Sequence, residues 1–174
     1  MRTSRTGCLP VNAVLPCAGT IAQQTAETAR AIGAGVGVTT ACVVGGVDYG
    51  RQRDAVMRTR AQLMVATPGR LLSLCGETPA SSRARQAAGA KPPDTEGEDP
   101  ACSLAGVALL VLDEADRLLE MGFEEDLAAI RRLSVTAEAP HPSGKPAAPW
   151  TLMFSATWTA RTAKLAKAML APGA

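Results

Sequence analysis

An apolar run that ends in clustered carboxylates constrains the fold of this chain more than any other feature. Residues 107–112 read Val-Ala-Leu-Leu-Val-Leu without a polar side chain, and Asp113, Glu114 and Asp116 follow directly. Such a run is typical of a strand buried on both faces of a parallel sheet. Open α/β sheets bind ligands at the carboxyl ends of their strands, and carboxylate oxygens suit Mg²⁺. The segment therefore predicts an α/β fold with a metal-dependent site.

The rest of the chain alternates between strand and helix patterns. Strands are predicted at 11–15, 38–44, 63–66 and 150–154, and helices at 20–32, 51–61, 68–75 and 159–170. Thr20 is the predicted N-cap of the first helix, and Pro68 has the first-turn position that proline favours. Because strands and helices alternate, the order predicts parallel βαβ units and a three-layer parallel sheet between helices.

Two segments interrupt this alternation. Residues 76–103 and 134–149 are rich in proline, glycine, serine or charge and have no apolar period, which predicts disordered surface insertions. A regulatory or partner-binding role is the alternative for the first segment. A length of 174 residues allows one domain.

Charge is distributed unevenly along the chain. The formal net charge of +2 does not by itself indicate nucleic-acid binding. Residues 1–70 nevertheless contain eight arginines against three carboxylates, whereas residues 113–126 contain seven carboxylates against Arg117. The arginines at 51–60 form either a solvated helix face or a phosphate contact. The solvated face is a real alternative because no aromatic residues interleave with these arginines.

The five cysteines show no C-x₂-C spacing, which indicates neither a zinc site nor a disulfide framework and favours a reducing compartment. No apolar run approaches the roughly 20 residues that cross a bilayer. We therefore expect an intracellular protein without a membrane partner, and the sequence does not distinguish nucleus or nucleolus from cytoplasm.

Several short motifs occur in a fixed order. They are Val44-Gly45-Gly46, Thr67-Pro68-Gly69-Arg70, Asp113-Glu114-Ala115-Asp116, Met121-Gly122-Phe123 and Met153-Phe154-Ser155-Ala156-Thr157-Trp158. An isolated Asp-Glu-x-Asp would be explained as an acidic helix start that complements the helix dipole. In this company and order, the chain resembles the DEAD-box ATP-dependent RNA helicases.

The resemblance implies a RecA-like P-loop NTPase fold and makes residues 1–174 a partial helicase ATP-binding domain. The phosphate loop Gly-x-x-x-x-Gly-Lys-[Ser/Thr] is nowhere in the 174 residues, and Mg²⁺–ATP binding in the family depends on its lysine. The first phosphate-loop strand and helix are therefore expected to be missing, and the second helicase domain to be absent. We expect the isolated chain to be inactive, and exposed apolar surface to make it marginally stable or prone to aggregation.

The resemblance also assigns roles at the acidic motif. Asp113 would hold Mg²⁺ through water, and Glu114 would orient or deprotonate the water that attacks the γ-phosphate of ATP. Asp116 would not touch the metal but would link this motif to Ser155 and Thr157, which couple nucleotide state to the rest of the protein.

Two other motifs are assigned to the RNA phosphate backbone. Thr67, Pro68, Gly69 and Arg70 open a helix whose free N–H groups face an anion, which the family implies is an RNA phosphate. Arg70 would contact that phosphate or form an internal salt bridge. Gly45 and Gly46 allow close approach to a phosphate or form a plain tight turn. Such contacts give little base specificity.

One block departs from the family pattern. The family sequence Pro-Thr-Arg-Glu-Leu-Ala corresponds to Pro16–Ala22, which has neither arginine nor glutamate and contains one extra residue. Part of the RNA surface is therefore in doubt. Trp158 is predicted to pack at a strand-to-helix joint rather than to stack on a base.

The sequence thus predicts a helicase fragment that, in the complete protein, couples ATP hydrolysis to RNA duplex unwinding or remodelling with ATP and Mg²⁺ as cofactors. The alternative is a non-catalytic RNA-binding or regulatory remnant that does not bind ATP. The motifs do not indicate which RNA, pathway or protein partner is involved.

Overall fold

A computed structural model describes residues 12–77, 100–140 and 146–170. The strands are β1 Asn12–Leu15, β2 Thr40–Val43, β3 Leu63–Ala66, β4 Leu109–Leu112, β5 Thr136–Pro140, β6 Pro146–Ala147 and β7 Trp150–Met153. The helices are α1 Gly19–Gly33, α2 Tyr49–Thr59, α3 Pro68–Leu74, α4 Ala115–Glu120, α5 Glu124–Ser134 and α6 Ala160–Met169, with a 3₁₀ turn at Ala34–Val36. The strand predicted at 63–66 has its predicted bounds.

The main sheet has five parallel strands in the order β2-β3-β1-β4-β7. Leu15 lies beside Leu112, and Leu112 lies beside Met153. The prediction of an α/β fold with a parallel sheet is confirmed. Because these three strands end in register, the loops that follow them meet at the same edge of the sheet.

Helices pack on both faces of the sheet, and the larger core lies on one face. Side chains that are at most 2 % exposed fill this core, among them Leu15, Met64, Leu110, Leu112, Leu118, Leu127 and Ile130. Burying each leucine contributes roughly 1.5–3 kcal/mol. On the opposite face, Ala22 and Ala26 of α1 pack against Val44 and Val65 in a smaller cluster. The sheet therefore forms the middle layer.

Helix α1 covers only part of its face. Val14 packs against the smaller cluster, and the register places Val111 and then Leu152 beside it on the same side of the sheet. Within the described residues, Leu152 is 45 % exposed and Trp150 is 81 % exposed. The β4–β7 half of this face is consequently an open apolar surface.

The predicted insertion at 76–103 extends too far toward its carboxyl end. Ala101 is fully buried, Cys102 is 2 % exposed, and both belong to the larger core. Composition concealed these two small residues because they follow a charged, proline-containing stretch. The prediction for residues 78–99 falls outside the described part of the chain.

The second predicted insertion, 134–149, contains regular structure. Ser134 is buried as the last residue of α5, and β5 pairs with β6 as an antiparallel ribbon. The prediction of a structureless loop is wrong for this ribbon. Pro140 and Pro146 lie at strand ends, where a missing N–H donor is tolerated.

Two further local features differ from expectation. The N-cap of α1 is Ala18 in an extended conformation without a side-chain cap, so Thr20 is not the cap. Helices α4 and α5, which the sequence patterns left unassigned, are separated by a turn with Gly122 at φ +78°. No helix in the described residues is long and apolar enough to cross a membrane.

The open apolar surface generates a prediction about association. The double variant Trp150→Thr and Leu152→Thr is expected to lower concentration-dependent self-association, because exposed apolar strands favour contact between copies. Sedimentation velocity over a concentration series measures the effect. The matched control is Ile32→Thr with Val36→Thr, since these side chains are 73 % and 77 % exposed but precede β2 at the other edge of the sheet. Equal association of both double variants would contradict the prediction.

Candidate functional site

The acidic motif begins where β4 ends. The Asp113 N–H donates to the Leu15 carbonyl at 3.1 Å, which fixes the first carboxylate against the end of β1. The Glu114 N–H donates to Asp113 Oδ1 at 3.0 Å. Glu114 itself has φ 52° and ψ 53°, a left-handed conformation that is rare outside glycine, asparagine and aspartate. This conformation turns the backbone, so the side chains of Asp113 and Glu114 leave it in different directions.

Glu114 has a partner that sequence analysis missed. The Cys17 thiol donates to Glu114 Oε2 at 2.9 Å across the ends of β1 and β4. Burial, followed by the hydrogen bond to Glu114, raises the pKa of Cys17 to about 12. The thiol therefore stays protonated at neutral pH and remains a donor to the carboxylate. The one available signal was the position of Cys17 directly after Pro16 at the end of a predicted strand.

Asp116 joins the motif to the residues after β7. The hydroxyl of Thr157 donates to Asp116 Oδ2 at 2.7 Å, and the Thr157 N–H donates to the same oxygen at 3.2 Å. The Asp116 N–H donates to Ser155 Oγ at 3.2 Å, and the Ser155 hydroxyl donates to the Thr157 carbonyl at 2.8 Å. The structure thus brings Asp116, Ser155 and Thr157 together, while their coupling role stays a prediction.

These contacts lower the pKa of Asp116. The largest cause is the hydrogen bond from the Thr157 hydroxyl, and the Arg117 N–H, which donates to Oδ1 at 3.1 Å, contributes as well. Hydrogen bonds to the ionised form favour that form. Asp116 is therefore a carboxylate acceptor at neutral pH rather than a proton donor.

The two glycines and the Thr67 motif also lie together. The Gly45 N–H donates to the Thr67 hydroxyl at 3.2 Å, which ties the turn after β2 to the turn after β3. Gly46 has φ +79° and no atom within 4 Å of where a Cβ would be. Thr67 is the N-cap residue of α3 but makes no side-chain cap, because its hydroxyl is used across the two turns.

Arg70 lies against the same turns. Its Nη2 donates to the Val47 carbonyl at 2.8 Å, and its guanidinium carbon is 5.6 Å from the centre of the Tyr49 ring. Burial lowers the pKa of Arg70, and its Nη1 is buried without a hydrogen-bond partner. No carboxylate of the described residues forms an ion pair with Arg70, so the internal salt bridge left open by the sequence is not seen there.

The Gln52 side chain makes a second contact that the sequence did not reveal. Its amide accepts from the Val44 N–H and donates to the Val44 carbonyl, both at 3.1 Å. This buried pair of bonds holds the backbone immediately before Gly45. The sequence pattern did not single out this glutamine on an arginine-rich helix. Its partner is the backbone of Val44, and a backbone partner leaves no side-chain pattern in the sequence.

The residues after β7 correct one expectation. Trp158 is 66 % exposed, so its predicted packing role is wrong. Its neighbour Thr159 instead forms the capping box of α6 with Thr162. Hydroxyl groups hold the helix start, and most of the indole is exposed to solvent.

The carboxylates that follow β4 decide whether Mg²⁺ could be held at this edge of the sheet. Within the described residues, no three histidine, cysteine, aspartate or glutamate side chains converge on a common point. Mg²⁺ commonly keeps several waters and takes one or two carboxylates together with substrate phosphates. Half-buried Asp113 at the strand end fits one such carboxylate. The metal role of Asp113 and the catalytic role of Glu114 stay predictions.

The fold and site define an α/β protein whose polar loops gather at the carboxyl edge of a parallel sheet. The sequence model of the DEAD/DEAH box helicase family matches residues 14–166. The chain belongs to the DEAD/DEAH box helicase family.

Individual relatives support this membership. The chain is 38 % identical over 135 residues to the ATP-dependent RNA helicase DBP3 of Eremothecium gossypii, covering 78 % of this chain and 19 % of that protein. It is 33 % identical over 152 residues to the DEAD-box ATP-dependent RNA helicase 5 of Oryza sativa subsp. japonica, covering 87 % of this chain and 23 % of that protein. The chain therefore spans about a fifth of the length of these relatives.

The Asp116 contacts generate a titration prediction. In the folded chain the carboxylate should titrate below the roughly 3.9 of an unperturbed aspartate, so its stabilising contribution is present above that value and lost as pH falls through the lower folded pKa. Thr157→Val should raise the folded pKa because it removes the hydroxyl donor. NMR titration of the Arg117 amide, which donates to the other carboxylate oxygen, measures the shift.

Thr151→Val is the matched control, since the Thr151 hydroxyl donates to the Pro149 carbonyl and not to Asp116. The same midpoint in the wild type and in Thr157→Val would contradict the assigned cause.

Proposed function

We propose that this chain is part of an ATP-dependent RNA helicase that couples ATP hydrolysis to RNA duplex unwinding or remodelling. The observation that carries the proposal is the contact between the Asp116 carboxylate and both the hydroxyl and the amide of Thr157. This contact joins the acidic motif after β4 to the Ser-Ala-Thr motif after β7. Family membership supplies the reaction class that such a connection would serve.

The proposed division of labour at the acidic motif is the one that the family resemblance implies, and geometry and charge support it. Asp113, anchored by the Leu15 carbonyl, would hold Mg²⁺ through water. Glu114, oriented by the Cys17 thiol, would position or deprotonate the attacking water. Phosphoryl transfer requires charge neutralisation and an aligned nucleophile more than covalent chemistry. Mg²⁺, when bound with ATP, would supply the charge neutralisation.

The proposed RNA surface consists of Gly45, Gly46 and the segment 67–70. Backbone N–H groups in the first turn of α3 have no acceptor within the helix and face outward from its start. Arg70 is half-buried beside these turns, and its Nη1 has no hydrogen-bond partner. These groups suit phosphate oxygens and carry little information about bases. Which RNA is bound is not specified by this surface.

The domain assignment is also part of the proposal. Residues 1–174 would be a partial helicase ATP-binding domain. The open β4–β7 face supports a missing packing partner, because Trp150 and Leu152 are apolar and exposed there. The first phosphate-loop strand and helix of the family fold would supply such a partner. An intracellular location is proposed on the same family grounds.

The non-catalytic alternative has less support. A remnant that only binds RNA would not need Glu114 in a strained conformation with a dedicated hydrogen-bond donor. The missing phosphate loop still predicts that the 174-residue chain alone shows no saturable Mg²⁺–ATP binding. Fluorescent nucleotide titration measures this directly.

RNA binding by the chain tests the proposed surface. Arg70→Ala is expected to weaken binding equally for uridine-rich and mixed-sequence single strands and to reduce the salt slope by about one, because one phosphate contact is lost. Fluorescence anisotropy across a salt series measures both effects, with circular dichroism to verify folding. Arg132→Ala is the control, since Arg132 is exposed on α5. A sequence-selective loss, or no loss, would reject the surface.

Catalysis is tested in a chimera in which this chain replaces the matching segment of the Eremothecium gossypii helicase. Glu114→Gln is expected to reduce RNA-stimulated ATP hydrolysis by at least about 10²-fold, the range of general base catalysis, while nucleotide binding is retained. The control Glu120→Gln removes an exposed carboxylate whose partner is Arg117. A catalytically competent Glu114→Gln chimera would exclude the assigned role.

A further inference from the structure

Two cysteines that are distant in sequence touch each other in the core. The Sγ atoms of Cys75 and Cys102 are 3.4 Å apart, although 27 positions separate the residues in sequence. Cys75 follows the last residue of α3, and Cys102 lies in the segment that leads to β4. The other described thiols have different partners, since Cys17 donates to Glu114 and Cys42 to the Ala22 carbonyl. The Cys75–Cys102 contact is therefore a distinct feature.

The backbone holds this pair in place. The N–H groups of Ala101 and Cys102 both donate to the Leu74 carbonyl, at 2.8 Å and 3.2 Å. The adjoining Gly76 lies against Pro100, whose Cγ is 3.0 Å from where a glycine Cβ would be. The two chain segments are thus fastened to each other on either side of residues 78–99. A disulfide would require the sulfurs to approach from 3.4 Å to about 2.05 Å.

We propose that Cys75 and Cys102 form a redox-sensitive pair that a small-molecule disulfide such as oxidised glutathione converts into an intramolecular disulfide. The Cys75 thiolate attacks one glutathione sulfur, forms a mixed disulfide and releases one reduced glutathione. The Cys102 thiolate then attacks the Cys75 sulfur and releases the second, which takes up a proton. Two protein thiols are oxidised and one glutathione disulfide is reduced to two thiols.

The surroundings of the pair set how it would react. Cys75 is partly exposed, whereas Cys102 is 2 % exposed, so Cys75 is the more accessible of the two thiols to a dissolved disulfide. The hydrogen bond with Cys102, followed by burial, raises the pKa of Cys75 above its ordinary value. The reactive thiolate is consequently scarce at neutral pH, and oxidation should accelerate as the pH becomes alkaline. In a reducing compartment the pair stays open.

Oxidation would change the connection between two parts of the fold. The disulfide would join the end of α3 covalently to the entry of β4 and close residues 76–101 into a loop. Closing a loop of this length restricts the unfolded chain, which favours the folded state. This inference is independent of the proposed helicase function, because it requires neither nucleotide nor RNA.

Peptide mapping of the full chain tests the proposal. The chain is incubated with oxidised glutathione at low protein concentration, free thiols are blocked with N-ethylmaleimide, and the product is digested with trypsin without reduction. Arg83 and Arg85 lie between the two cysteines, so peptides 71–83 and 86–117 separate unless a disulfide joins them. We expect the joined pair at a mass two hydrogens below the sum, released by dithiothreitol. We also expect the melting temperature to rise by several degrees.

Two variants make the result specific. Cys102→Ser should accumulate glutathione on Cys75 and lose the rise in melting temperature, whereas Cys42→Ser should retain both the link and the rise. Stable glutathione on Cys75 of the wild type without a link to Cys102 would overturn the proposal. Disulfides spread over all five cysteines would also overturn it, because random pairing indicates that the native contact does not direct oxidation.

Discussion

The parallel register of β1, β4 and β7 is the constraint on which the acidic site depends. It brings Leu15, Leu112 and Met153 to one edge, so the residues that follow each strand meet there. The Asp113 N–H reaches the Leu15 carbonyl, and the Ala115 N–H reaches the Phe154 carbonyl at 2.9 Å. Backbone hydrogen bonds to the ends of both neighbouring strands, β1 and β7, therefore hold the acidic motif independently of any side-chain contact. A slip in register would separate all of these groups.

A similar arrangement organises the carboxyl ends of β2 and β3, on the other side of β1 from the acidic motif. The turns after β2 and β3 are joined by one bond from Gly45 to Thr67, and Gln52 secures the residue before Gly45. The Thr67 hydroxyl makes this link and does not cap helix α3. The proposed phosphate-contacting groups consequently belong to one connected surface rather than to two separate loops. A displacement of either turn would therefore shift the other through the hydrogen bond to the Thr67 hydroxyl.

Strong local patterns made much of the fold predictable. An uninterrupted apolar strand and a proline at a helix start need only near neighbours, which is why β3 and α3 were placed well and why the acidic motif was found. Contacts between distant positions were not predictable in the same way. The Cys17 bond to Glu114 spans 97 positions, and no residue spacing encodes it.

The errors have equally local causes. Proline-rich composition predicted a structureless loop at 134–149, but prolines at strand ends do not prevent a short ribbon. Charge near residue 99 concealed the buried Ala101 and Cys102. Trp158 was assigned to packing because its neighbours form a strand-to-helix joint, yet the hydroxyl-based cap of α6 holds the start of that helix.

The left-handed backbone at Glu114 has a consequence for how this position can vary. An L-residue in this conformation costs roughly 1–2 kcal/mol relative to the right-handed form, and asparagine tolerates it better than most. A lineage that no longer used the carboxylate would lose little by drifting to asparagine, whereas valine or isoleucine would be excluded by sterics alone. The amino acid found at position 114 in diverging sequences thus indicates whether the carboxylate is still under selection for catalysis.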